Sequence, residues 1–155
     1  MKKQLFILIL VAVALAAPIV AIAAGSCTCQ VLPAKNFNVV QCQWTSDSSG
    51  AVSGVGALTI TGTLRAVNFK SVSGYIPTNL YDVQWLNAGG ENLLYDDSNS
   101  VNVGADVPSA LDATSQRRTP LNKDSFSKKL YNETLTLSIT NAGDTKKGIF
   151  EAIID

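Results

Sequence analysis

The chain contains no histidine, a single methionine and few aromatic residues. The missing imidazole removes the usual general base, the usual metal ligand and every Ser-His or Cys-His nucleophile pair. Charge of one sign is also missing: 12 basic side chains face 12 acidic ones. No global field therefore draws the protein onto nucleic acid, and no nucleic-acid partner is expected. Long helix formers are scarce, whereas Thr, Ser, Val, Asn and Gly abound, which favours strands and turns. At 155 residues the chain reads as one domain, large enough to bury a core without a metal.

What is present begins with Leu5 to Ala24, a stretch without charge that follows Lys2 and Lys3. At about 1.5 Å per residue it covers about 30 Å, the thickness of a bilayer core. A secretory hydrophobic core is usually about 7–15 residues, yet Ala21-Ile22-Ala23 satisfies the A-x-A cleavage rule. Cleaved signal and retained membrane anchor both stay open, with a lipid bilayer as partner through residues 5–24 in the second case. A lipoprotein site is the weaker reading, because Ala24-Gly25-Ser26-Cys27 lacks the leading large aliphatic residue. In each case the lysines stay inside and everything after Ala24 is exported.

Export to an oxidising compartment makes a disulfide reasonable. Cys42 shares a strand face with Val40 and Trp44, and pairing it with Cys29 or Cys27 would tie the membrane-proximal segment to the domain. The odd cysteine is then free or intermolecular. Alternatively Cys42 is a small buried hydrophobe. A zinc or redox site is not expected, since the further ligands are missing.

Downstream, Val39 to Trp44 reads as a strand, and Thr45 to Gly54 as a polar turn. Ala57 to Thr61 and Thr63 to Phe69 read as strands joined across Gly62, a bulge or sharp bend. Further strands are expected at Tyr81 to Leu86, Asn92 to Tyr95, Thr134 to Thr140 and Ile149 to Ile154. The expected class is all-β, a single β-sandwich of immunoglobulin-like or jelly-roll type preceded by an N-terminal apolar helix. Residues 1–24 are the signal peptide or anchor, 25–38 a cysteine-containing linker and 39–155 the sandwich domain. Leu58, Ile60, Val83, Trp85, Leu135, Leu137 and Ile139 are the expected core.

Several candidate sites can be weighed on residue chemistry. Asp96 to Ser100 offers oxygen ligands but lacks the glycine and closing glutamate of a calcium loop. Asn132-Glu133-Thr134 fits a glycosylation sequon. Trp44, Tyr81, Trp85 and Phe150 sit at strand spacing and read as core rather than as a sugar-binding face. The region from Asp96 to Lys129 lacks a pattern and concentrates Arg117, Arg118, Lys123, Lys128 and Lys129, either as a solvated loop or as a contact surface. The last strand is apolar on both faces apart from Glu151, so it is central in its sheet or covered by another chain. Ile149, Ile153, Arg117 and Arg118 are accordingly the candidate interface residues. No catalytic residue, metal, cofactor or small-molecule substrate is indicated.

Four short motifs occur in order: Trp44 to Gly50, Ile60 to Gly62, Pro77 to Val83 and Leu137 to Gly143. Together they resemble small β-rich structural proteins of bacteriophages and prophages. The resemblance covers at most about half the chain and excludes the 96–129 region. It implies a non-enzymatic virion component whose partners are other virion structural proteins or copies of itself. The apolar N-terminus departs from that family and points to a membrane-associated place in the virion or to the extracytoplasmic side of the host envelope. The alternative is an exported envelope module that binds a glycan or a protein.

Overall fold

The computed structural model describes residues 24–96, 101–107, 117–120 and 128–155. The apolar helix expected at the N-terminus lies outside them, apart from Ala24. Among the described residues no helix is long and apolar enough to cross a membrane. Nine strands are described: β1 Ser26–Pro33, β2 Asn38–Thr45, β3 Val52–Ser71, β4 Asp82–Leu86, β5 Tyr95–Asp96, β6 Val101–Asn102, β7 Arg117–Pro120, β8 Lys128–Thr140 and β9 Lys147–Ile154. All pairings are antiparallel. The main sheet runs β1-β2-β9-β3-β8-β4, with β7 added to β3, while β5 and β6 form a separate ribbon.

The two strands expected on either side of Gly62 are one element, β3, which changes partner at Leu64. Residues before it pair with β8, residues after it pair with β9, and Leu64 itself is opposite both Lys128 and Ile154. The register shifts between Ile60 and Gly62 and again between Leu64 and Ala66. Gly62 makes the corner feasible. Its φ is 140°, and a β-carbon there would sit 2.5 Å from Ile154 Cγ2 and 2.8 Å from the Asp155 carbonyl oxygen. The sharp bend expected at this glycine is therefore present.

Because of the corner, the sheet doubles back on itself. Trp85 on β4 and Phe150 on β9 are three strand positions apart along the sheet. In a flat sheet that is about 14 Å at about 4.8 Å per strand. Their rings instead meet edge-on at 5.4 Å between centroids. Trp44 meets Tyr81 at 5.7 Å in the same interior. The core expected from alternation is buried at Ile60, Val83, Trp85, Leu135, Leu137 and Ile139, with Leu58 packed against its margin. β9 lies between β2 and β3, and this central place accounts for its apolar character. Phe150, Ala152 and Ile154 point inward and are buried, while Ile149, Glu151 and Ile153 are half-buried on the outer face.

Four expectations need correction. Asn92 to Tyr95 is not a strand: Asn92 makes an isolated bridge to Leu86, residues 93 and 94 turn, and Tyr95 opens β5. The turn expected from Thr45 to Gly54 is shorter, because Thr45 ends β2 and β3 already begins at Val52. Residues 26–33 are not a linker but the edge strand β1, paired with β2 from Ser26↔Thr45 to Pro33↔Asn38. Cys27 and Cys29 turn inward there, while Ser26, Thr28 and Gln30 face solvent, as an edge strand requires. The 96–129 region is not patternless throughout, since Arg117–Pro120 pairs with Ala66 to Phe69 of β3. The opposite edge of the sheet is closed by loop backbone: Leu93 N–H donates to Trp85 O, Val83 N–H to Gly104 O and Val107 N–H to Tyr81 O. That covering blunts β4 as a template for unwanted pairing.

Candidate functional site

The cysteines come together under β1. Cys29 and Cys42 are directly opposite in the β1–β2 register and form a disulfide, while Cys27 is a free thiol. Cys42 is fully buried beside Val40 and Trp44, on the inner face expected for it. Cys27 Sγ lies 3.6 Å from Cys29 Sγ. Gly56 of β3 forms the floor, with φ at 73°. A β-carbon added to it would fall 2.7 Å from Cys29 Sγ and 2.9 Å from Cys27 Sγ. This contact is a second sign that the sheet closes, because β1 and β3 are not hydrogen-bonded neighbours.

Chemically the cluster is quiet. All three sulfurs lie within 4.8 Å of one another, but two are spent in the disulfide, leaving one thiol and no three-thiolate cage. Burial pushes the Cys27 thiol from an ordinary 9.0 up to about 11. Among the described residues burial is the sole cause of the shift, with no charged group offsetting it, so the thiol is the reverse of an activated nucleophile.

The outer face of the same sheet carries a polar cluster centred on Glu151. Its Oε1 accepts from Gln41 Nε2 at 3.0 Å and from Lys70 Nζ at 2.7 Å, and its Oε2 accepts from Asn68 Nδ2 at 2.9 Å. β2, β3 and β9 each supply a member through register alone: Gln41 and Asn68 are both opposite Glu151. Burial pushes the carboxyl up, but the hydrogen bonds from Lys70, Gln41 and Asn68, together with the Lys70 charge, hold it below the usual glutamate value. A neutralised carboxylate is thus flanked along β9 by two half-buried isoleucines. Beside it runs a shallow groove of about 390 Å³, bordered by Ser26, Thr28, Gln43, Lys147 and Ile149.

Arg117 and Arg118 belong to β7, opposite Phe69 and Asn68, so the register brings position 118 alongside the Glu151 cluster. Asp97 to Ser100 and Lys123 lie outside the described residues. Lys128 pairs with Glu91. Trp44, Tyr81, Trp85 and Phe150 are all buried, as core at strand spacing should be. Sequence reasoning missed the Glu151 cluster. Its only signal was one acidic residue in an otherwise apolar strand.

No protein-family model and no curated protein matches the chain. A solved structure of a cupin domain from Bordetella pertussis Tohama I is similar at 11% identity and a TM-score of 0.32, over 87% of this chain and 99% of that one. At that level the likeness carries no argument about fold or function.

Proposed function

We propose that the protein is a non-enzymatic structural subunit of a phage particle, exported or membrane-associated, and built as a β-sandwich of immunoglobulin-like or jelly-roll type. The observation that carries the reading is the outer face of β9. Ile149 and Ile153 stand half-buried on either side of a carboxylate already satisfied by Lys70, Gln41 and Asn68. Such a face suits contact with a neighbouring subunit, since its charge is paired within the chain and its apolar groups are not fully covered. The motifs shared with phage structural proteins support the same reading, as does the lack of a histidine for acid–base chemistry.

The reading predicts many copies of the protein in purified particles. It also predicts that Ile153→Asp abolishes incorporation while the isolated variant keeps the wild-type circular-dichroism spectrum and unfolding midpoint. Normal incorporation of that variant would sink the assembly role of this face. An envelope module that binds glycans through Trp44, Tyr81, Trp85 and Phe150 has no comparable support, because those rings are buried in the core.

A further inference from the structure

The chain passes from its apolar N-terminal stretch into the sheet without slack. Ser26 already belongs to β1, and Gly25 is pressed against the start of β3. A β-carbon on Gly25 would lie 2.2 Å from the Ala51 carbonyl oxygen and 3.0 Å from Val52 Cα. The same end of the domain carries the 46–51, 72–80 and 141–146 loops, which are bonded to one another through their backbones. Ala142 N–H donates to Gly50 O at 3.0 Å, Thr78 N–H to Ala142 O at 2.9 Å and Lys147 N–H to Tyr75 O at 3.0 Å. One platform of mutually bonded loops therefore lies beside the point where residue 24 leaves.

That platform exposes apolar side chains that the fold leaves uncovered: Tyr75 at 44%, Ile76 at 43% and Leu80 at 51% exposure. Lys147 Nζ sits 4.1 Å above the Tyr75 ring, a tyrosine–lysine pairing suited to the boundary between water and acyl chains. The surrounding carboxylates of Asp47, Asp82, Asp106 and Asp144 outnumber the ammoniums of Lys146 and Lys147. Attraction to anionic headgroups is therefore not the driving force, and apolar insertion is.

We propose that this platform rests on the bilayer from which the chain emerges, with Tyr75, Ile76 and Leu80 set into the headgroup–acyl boundary. The inference rests on the reading of residues 5–24 as a retained membrane span. The domain is then held at a fixed tilt by two anchors rather than swinging on a tether, which leaves the β9 face presented sideways to neighbours.

The test uses the full chain reconstituted in phosphatidylcholine vesicles, with Cys27→Ser as background and a polarity-sensitive dye at Ile76→Cys. A dye at Asn36→Cys, in the β1–β2 turn at the far end of the strands, is the control. Flotation with the vesicles reports the span independently. The expected result is quenching by brominated lipid at position 76 at least about threefold above that at position 36, unchanged by added salt. Flotation with equal, water-like behaviour at both positions overturns the docking and leaves the span standing. Failure to float overturns both. Protection at 76 that follows the protein-to-lipid ratio without bromolipid quenching assigns the patch to a second copy and also overturns the proposal.

Discussion

Cys27 illustrates how little a side chain's identity says without its surroundings. Next to an apolar N-terminus and a Cys-x-Cys spacing, it has the look of a reactive or cross-linking thiol. In the fold it points at Gly56 from the inner face of an edge strand, and burial alone raises its pKa to about 11. The rise from the ordinary 9.0 cuts the thiolate fraction near neutral pH about a hundredfold. Alkylation of the oxidised protein by iodoacetamide should therefore run about a hundredfold slower than for a free cysteine at pH 8, and its rate should climb steadily with pH until the fold opens. A Cys27 that labels at the rate of a small-molecule thiol would mean that β1 is not seated on β3. Glu151 makes the complementary point. A single acid in an apolar strand reads as an exception until the two neighbouring strands, β2 and β3, bring Gln41, Asn68 and Lys70 to it, and no spacing in the sequence encodes that convergence.

At the level of elements, the sequence was most legible where one physical rule acted alone. Leu135, Leu137 and Ile139 alternate without interruption, and they are buried on β8 as that alternation demands. The two-faced apolar pattern of β9 correctly implied a central or covered strand. β1 was illegible for a definite reason: its outward Ser26, Thr28 and Gln30 resemble a linker, and its inward positions are cysteines whose redox meaning obscured their role as small hydrophobes. β7 was missed because a four-residue strand with two arginines carries no alternation signal. The bend at Gly62 was readable, but its consequence, one strand serving two partners, depends on pairing between distant residues. Gly62→Ala should lower stability by about 2–5 kcal/mol, combining about 1–2 for a positive-φ alanine with about 1–3 for crowding against Ile154 and Asp155. Gly54→Ala is the control, since φ there is also positive, at 56°, but nothing lies within 4 Å of the added carbon. Urea midpoints that fall equally for the two variants would show that the corner is not tightly packed.

For the molecule as a whole, β1 is the connection through which the N-terminal segment meets the folded sheet. Among the described residues it pairs with β2 alone, is joined to it by the Cys29–Cys42 disulfide and rests on Gly56 of β3. The sequence separation of that bridge is 13 residues, which the loop-entropy model values at about 3 kcal/mol. An edge strand with one hydrogen-bonded neighbour can open without the rest, whereas β9, β3 and β8 are braced on both sides. Phosphine reduction should therefore loosen the molecule locally. Amides of β1 should lose about a hundredfold of their hydrogen-exchange protection, the equivalent of about 3 kcal/mol, while those of β8 and β9 stay close to their oxidised values. Equal loss of protection in β1 and β9 would show that the bridge stabilises the whole sheet and that β1 does not open independently. Under pull from the N-terminal side, the oxidised chain should pass load directly from residue 25 into β2 and the core, and the reduced chain should first peel away its edge strand.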